Sequence, residues 1–536
     1  MATQRIAFKE WLPDQPSILD SVSEANNVIP LAVGYGPFKS AVTYSGAASE
    51  ALNNVFAAKL DNDVFIFAGG ASKLFKVDNT DLSLVDESKS GGYTGTGRWQ
   101  FLQFGNLALA ANGSEKIQAY DVNSSTAFAD ASSDAPIAKY ITAVRDFVVA
   151  ANIGAGTTPN KVQWSGINDA TTWTTTATSQ SDFQLLPDGG DITGIVGGEF
   201  GIVFLEKAIV RMSYIGSPLI FQFDTISRNV GCIEGNSIAQ YSGTSYFLSD
   251  DGFYATNGQT LNGIGSEKVD RYFFNNANIA DIDSISTAVD PERNLVIWNY
   301  GNISGGRSLL IYNFETQKWC EADTDVDFLS TLATSGTTLD GLDSAYNVTA
   351  GSFVVGKSYT IRTVGSTDFT LIGAVANTVG VLFTATGAGS GTGVAIDMAA
   401  SAAALKTVDS LVTTLDDRLY KGGKFLFGGV RGTRIITFTG ANATGSIITN
   451  DLEYGYNSVL TLIRPSVDNG SASVSVASRR MLDDTITYGS SVTASQEDRC
   501  SVRSAGRYHR IALTPTGANW SSAIGMDINY SEQGTR

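Results

Sequence analysis

At 536 residues the chain has room for several domains. Its composition is 43% hydrophobic with 56 Gly and only 17% charged residues, which excludes a disordered polypeptide. A net charge of -17 excludes general affinity for nucleic acid through a basic surface.

The N-terminal segment, 1–50, opens MATQRIAFKEW, with charges where a signal peptide needs an apolar run. No stretch approaches about 20 uninterrupted apolar residues, so no membrane insertion is expected. Cys232, Cys320 and Cys500 are odd in number, far apart and free of any Cys-x-x-Cys, so neither a disulfide framework nor a zinc site is indicated. These traits predict a soluble chain made in a reducing cytosol.

From residue 51 the chain is punctuated by hairpins. Asp63–Val85 reads as an apolar run, a Gly turn, a second run and a polar corner. Asn106–Phe128 repeats the order, with the hairpin dipeptide Asn112-Gly113 at its turn. Phe147–Trp173, Phe200–Phe223, Thr244–Gly265 and residues 293–319 follow. Their starts lie about 41 to 53 residues apart, inside or just beyond the period of a propeller blade. Short strand-like stretches precede them, namely Asn54–Leu60, Trp99–Gly105, Lys139–Arg145, Ile192–Gly197, Ser237–Ser242 and Ser286–Val289. A strand, a hairpin and a trailing strand make a four-stranded blade.

The predicted fold is therefore all-β: a β-propeller of about six four-stranded blades over 51–345 plus 398–430. Each hairpin packs on neighbouring blades, and its terminal Trp or Phe fills the gap between sheets. A further blade could form from 325–345 joined to residues beyond the insert. The competing reading is an irregular β-sandwich array with accidental spacing. Residues 346–397 nearly lose their charge and alternate Thr, Val, Gly and Ala, which predicts an inserted small β-module. The alanines of Met398–Lys406 are compatible with a short helix. Gly432–Gly440, Ser458–Ile463 and Ser471–Ala477 alternate as half-exposed strands do, and 431–536 reads as a separate C-terminal β-domain.

Motifs that could carry chemistry are few. GAGSGTG, 387–393, has the glycines of a dinucleotide loop but lacks the flanking parallel strands, so a turn is favoured. Asp323, Asp325 and Asp327 alternate like calcium ligands, yet Phe328 and Thr334 stand where an EF-hand loop needs Gly and Glu. His509, the one histidine, lies in a strand-like run, which suggests a hydrogen-bonded structural or interface residue rather than a general base. Asp250 and Asp251 are adjacent, so on a strand they face opposite ways and are not a glycosidase pair. Ser249-Asp250-Asp251-Gly252 also misses the spacing of a sialidase box and does not recur. No catalytic, cofactor-binding or metal residue is assigned.

Taken in order, WLPDQP (11–16), NVIPLAVGYGPF (27–38), KVQWSGINDATTW (161–173), GGEFGIVFLEKAIVRMSYIG (197–216), SDDGFYATNG (249–258), GRYHR (506–510) and WSSAIGMDI (520–528) resemble one family. It is that of the tail nozzle, tail hub or packaged-DNA stabilisation proteins of short-tailed bacteriophages. The resemblance runs nearly end to end outside 346–397. The insert itself looks like small β-modules in structural proteins of marine phages. The resemblance implies a structural virion protein, assembled in the host cytoplasm into a homo-hexameric ring in the tail. The ring would lie below the head-to-tail adaptor protein, extend the DNA channel, retain packaged DNA and conduct it during ejection. Its outside would meet tail fibre, spike or needle proteins. It implies no enzyme activity, no cofactor and only transient, non-specific passage of viral DNA. An acidic wall suits a conduit, since it repels phosphates instead of exchanging counterions with them. Two alternatives stay open: a peripheral, receptor-binding lectin-like tail protein, and a propeller glycosidase or depolymerase.

Overall fold

A computed structural model of the chain describes residues 2–333, 347–397 and 425–533, except 62, 80, 96 and 177. It is built almost wholly of β-strands, and seven four-stranded antiparallel units form a propeller. The first five blades are consecutive meanders whose inner strands are Leu52–Leu60, Gln100–Phe104, Ala138–Val144, Ile192–Val196 and Ala239–Tyr241. Blade six is Ser286–Asp290, Leu295–Gly301, Arg307–Asn313 and Lys318–Thr324.

The turns form because the sequence supplies the required backbone. At the blade-two hairpin Gly113 holds φ +77°, and the Asn112 side chain folds back so that its Oδ1 accepts from the Ser114 and Glu115 amides. The second strands are the most buried, as apolar runs such as Leu107–Ala111 and Gly201–Leu205 predict. Aromatic side chains seal the gaps between blades. Trp99 packs with Phe67, Tyr120 and Phe128 between blades one and two, and Trp173 with Leu109 and Ala150 between two and three. Trp319, at the end of the 293–319 hairpin, stacks with Trp298 at 5.7 Å and tilts against Phe253 of blade five at 5.3 Å.

The blade count is seven: the six of the periodicity and the further blade expected from 325–345 joined to residues beyond the insert. The seventh is assembled from three separate stretches of chain: Phe328–Ala333, Phe425–Arg431 with Arg434–Thr437, and the N-terminal Val42–Thr43 as its outer strand. Its inner strand packs against the inner strands of blades six and one, which closes the ring. A blade split by an insert of some ninety residues leaves no regular period to read, and the expected propeller boundaries at 51 and 430 shift for the same reason. Closure by a strand from the other end of the chain removes the open sheet edge that a ring of blades would otherwise carry.

The C-terminal β-region is not separate from the propeller, contrary to the expectation for 431–536. The long strand Leu452–Asp468 lies between Cys500–Thr516 and Ser522–Glu532 and pairs with both, and Ala2–Ala7 pairs with the last of them. Val22–Asn26 pairs antiparallel with Ser446–Thr449 and, at Asn26, parallel with Glu321 of blade six. One sheet thus runs from blade six through the N-terminal segment into the C-terminal strands. A single apolar core follows it, from Trp298 and Trp319 through Trp11, Val28 and Tyr35 to Leu460 and Ile528. The physical reason is the outer edge of blade six. Asn27 N donates to Glu321 O at 2.9 Å and Asn27 Oδ1 accepts from Asp323 N at 3.0 Å, so Asn27 pairs backbone groups of an edge that would otherwise face water, while Asn313 Nδ2 and Lys318 Nζ tie Pro30 O and Ala32 O to the same strands at 3.1 and 2.9 Å.

The inserted module folds as its own antiparallel sheet, in the order Asn347–Thr349, Val394–Asp397, Ser358–Thr363 and Leu382–Thr384. It has a core of Phe353, Tyr359, Phe369 and Phe383. The helix expected at Met398–Lys406 lies outside the described residues.

Trp11 joins the propeller side of the shared core to its C-terminal side. Its ring meets Tyr272 edge-on at 5.1 Å and its Nε1 donates to Ser23 O at 3.2 Å. Replacement by alanine is expected to cost about 3–5 kcal/mol. In urea titrations, far-UV circular dichroism and tryptophan fluorescence should shift together. A C-terminal region that melted apart from the propeller would show two transitions instead.

Candidate functional site

Residues singled out from sequence are held in structural roles. His509 is buried, with Nε2 at 2.8 Å from Ser458 Oγ and Nδ1 at 2.6 Å from Ser478 Oγ. Burial lowers its pKa to about 4, so the ring is neutral at pH 7. Both ring nitrogens face hydroxyls rather than a carboxylate, unlike a Ser-His-Asp triad. Asp323 accepts from Asn26 Nδ2 at 2.9 Å, Asp325 pairs with Arg431 at 2.7 Å, and Asp327 accepts from Gly432 N at 2.6 Å. The three acids of this corner thus have separate partners. Asp251 accepts from Tyr254 Oη at 2.9 Å, while Asp250 accepts from Ser249 Oγ at 3.2 Å. The glycines 387–393 join two strands of the antiparallel inserted sheet, so no βαβ unit is present there. Cys232, Cys320 and Cys500 are buried free thiols, and burial raises all three pKa values. Among the described residues no group of three or more His, Cys, Asp or Glu is arranged to hold a metal ion.

The densest convergence of polar groups is one that sequence reading missed. In an antiparallel blade, the start of the inner strand and the turn between the second and third strands lie at the same end. Loops from five blades therefore meet at one mouth of the propeller. They enclose a cavity of 570 Å³ lined by Arg98, Gln100, Asn112, Lys139, Asn152, Asp191, Glu234, Asn236, Asp281 and Asp283, among others. Side chains span it from one blade to another. Arg98, ahead of blade two, donates through Nη1 to the carbonyls of Asp283 and Ile285 at 2.9 and 3.2 Å and lies 5.2 Å from the Phe328 ring centre. Gln100 Nε2 donates to Asn236 Oδ1 at 2.8 Å, and Asn236 Nδ2 donates to Glu234 Oε1 at 3.0 Å.

Electrostatics follow from this crowding. Burial lowers the Arg98 pKa, against the pull of Glu234, Asp283, Asp281 and Asp327. Burial raises the Glu234 pKa, and Lys139 and Arg98 oppose the shift. The mouth thus holds opposed charges in a partly desolvated space. A signal did exist in the sequence. Gly97-Arg98, Glu234-Gly235-Asn236 and Asp283-Ser284 each sit just before an inner strand, and only alignment of the repeats by blade would have grouped them.

A second cluster lies at the junction. Tyr272 Oη donates to Glu321 Oε2 at 2.5 Å, with Glu24 and Asp323 nearby. Burial raises the pKa of this partly buried carboxyl to about 7. Asp14 of the WLPDQP stretch accepts from the Arg271 and Tyr272 amides at 2.9 and 2.7 Å, at the start of the short helix Asp270–Asn276. Lys268 pairs with Glu10 at 2.7 Å.

A scan against protein families and a search of curated proteins both return no match. Solved structures with some likeness include dihydro-heme d1 dehydrogenase NirN in complex with DHE, 13% identical over 54% of this chain and 60% of that one, with a TM-score of 0.31. The match thus spans less than two thirds of NirN. YCF48 bound to D1 peptide is 11% identical over 54% and 85% of the two chains, with a TM-score of 0.34. A functionally unknown protein from Desulfotomaculum acetoxidans is 14% identical over 49% and 83%, with a TM-score of 0.31. Likenesses this weak carry no argument, and the blade assignment rests on the strand pairing of this chain.

Glu321 sets a pH dependence for the junction. Its folded pKa of about 7 exceeds the ordinary 4.5, so the folded state binds its proton more tightly. That stability is complete below about pH 4.5 and lost as pH rises through about 7. Glu321→Gln should therefore raise stability by about 1–2 kcal/mol near pH 8 and change little near pH 4.5. Melting temperatures of both proteins across this range check the sign.

Proposed function

We infer that this chain is a structural subunit of a short phage tail, a nozzle ring that continues the DNA channel, retains the packaged genome and conducts it at ejection. The ring is a homo-hexamer beneath the head-to-tail adaptor, with fibres, spikes or a needle on its outside, and the chain has no catalytic role. The ordered set of stretches that resembles tail nozzle proteins supports this reading. The observation that carries it is the construction of the framework. Propeller, N-terminal segment and C-terminal strands share one sheet and one core, and stretches 11–16, 27–38, 506–510 and 520–528 all contribute to that junction. A ring under the pressure of a packaged genome needs subunits that do not hinge between domains.

Two further features fit a conduit. The propeller's own mouth is bridged by Gln100 and Arg98, so duplex DNA has no path there and the channel must be bounded by several copies. Residues 431–536 contain no lysine, and five of their ten arginines, Arg431, Arg479, Arg499, Arg507 and Arg510, are each paired with a carboxylate. Paired arginines neutralise fewer phosphates, and each phosphate not neutralised removes one salt-dependent contact.

The purified assembly should bind duplex DNA more weakly than about 10 μM at physiological salt. Low-resolution images of particles carrying a labelled copy should place the label on the tail axis in one ring. Tight duplex binding, or a label at the periphery, would overturn the conduit reading. Particles in which residues 346–397 are replaced by a short Gly-Ser joint should still retain DNA, as measured by genome release on dilution. Failure of tail assembly in that deletion would make the module part of the framework.

A further inference from the structure

We propose that copies of this chain join edge to edge, the strand Ala2–Ala7 of one copy adding antiparallel to residues 500–505 of the next. The joint rests on the reading of the chain as a ring subunit and names the surfaces that make the ring. Four strands of the C-terminal sheet lie side by side in the order Ala2–Ala7, Ser522–Glu532, Leu452–Asp468 and Cys500–Thr516, each antiparallel to its neighbour. Ala2–Ala7 pairs with Ser522–Glu532 alone, and five of its six residues are exposed. Residues 500–505 pair with Leu452–Asp468 on one side, while on the other Ser471–Arg479 reaches only as far as Tyr508. Among the described residues no backbone hydrogen bond fills the outer side of either stretch.

Strand polarity fits the two edges to each other. Phe8 N donates to Ile524 O at 3.0 Å, in the register that pairs Ala2 with Tyr530. Even-numbered residues of the first strand therefore bond to Ser522–Glu532, and Thr3, Arg5 and Ala7 turn their N–H and C=O outward. In a row of four antiparallel strands the two outer ones run in opposite directions. Joining unlike edges thus continues the antiparallel order from copy to copy. Neither stretch contains proline or lysine, residues that commonly guard an open edge. An exposed apolar pair also flanks each edge. Ile18 and Leu19, 62% and 44% exposed, line the groove along residues 4–9. Met481 and Leu482, 63% and 44% exposed, follow Arg479, whose backbone meets Gly506. In an antiparallel joint one pair lies at each end, and forming the joint takes both out of water.

Pairing like edges is the rival arrangement. Two Ala2–Ala7 strands can meet about a two-fold axis, but residues 500–505 then stay open and need a second, different joint. A foreign peptide strand on Ala2–Ala7 leaves them open as well. One head-to-tail joint, repeated, satisfies both edges in every copy and closes into a ring.

The test is cross-linking of the full-length chain. Thr3, Ser501, Arg503 and Ala505 are exposed, and the three native cysteines are buried. Thr3→Cys is combined in turn with Ser501→Cys, Arg503→Cys or Ala505→Cys, three positions because the pairing shifts register between Ser501 and Ser504. The variants are oxidised both as concentrated pure protein and in particles. At least one combination should give a covalent ladder from dimer to closed ring on a non-reducing gel. Arg5→Pro removes an outward N–H and should lower incorporation into tails about tenfold or more, whereas Arg5→Ala keeps that N–H and should assemble as the native chain does. No ladder from any combination, covalent dimers from Thr3→Cys alone, or undiminished assembly of the Arg5→Pro chain would each overturn the joint. A labelled copy on the tail axis without any ladder would remove this joint and leave the ring reading. A ladder with the label at the periphery would do the reverse.

Discussion

The outer edge of blade six is the constraint on which the rest of the molecule depends. A strand edge exposes a row of amides and carbonyls that either pair or template association with another chain. Here residues 22–32 lie along it, through backbone contacts to Glu321 and side-chain contacts from Asn313 and Lys318. Because Val22–Asn26 also pairs with Ser446–Thr449, covering that edge forces the C-terminal strands onto the propeller. The N-terminal segment is then held at both ends: Asp14 meets the helix Asp270–Asn276, and Val42–Thr43 completes blade seven.

Ring closure and junction are thus two consequences of one short segment. A strand contributed from far away in sequence makes closure cooperative, since blade seven cannot complete its sheet until the N-terminus has docked. It also explains how the blade tolerates an insertion of some ninety residues. Phe328–Ala333 and Phe425–Arg431 pair in register from Phe328↔Val430 to Ala333↔Phe425, so the chain leaves and returns at neighbouring positions. A loop that begins and ends side by side adds little closure entropy, because the cost grows only with the logarithm of its length.

Buried polar groups have two different characters. In the C-terminal sheet Asp451 and His509 are satisfied, whereas Tyr454 Oη there and Asn26 Oδ1 at the junction have no partner among the described residues. Asp451 is fully buried, which alone would raise its pKa, yet hydrogen bonds from Arg510 and Arg479 carry it below the ordinary value. His509 is neutral between two serines. Such satisfied groups specify a packing without offering chemistry. At the propeller mouth the groups come from opposing blades and bridge them through Arg98 and Gln100.

The sequence by itself determined the strands, the hairpins and their repeat. Period-two alternation, Asn-Gly turns and a closing aromatic are local, so the Asn106–Phe128 and 293–319 hairpins were legible, and so was the burial of Trp319 between blades. The structural character of His509 was equally legible from its place in an alternating run. A further blade from 325–345 joined to residues beyond the insert was also legible, but only the tertiary structure decided that it completes a ring of seven with Val42–Thr43 as its outer strand, since that two-residue stretch carries no local signal. The tertiary structure alone joined the C-terminal strands to blade six, since edge pairing depends on which unsatisfied backbone lies nearby and hardly on side-chain identity. The axial mouth was hidden for a related reason. Arg98, Asn236 and Asp283 are far apart in sequence, each looks like an ordinary loop residue, and only closure of the ring brings them face to face.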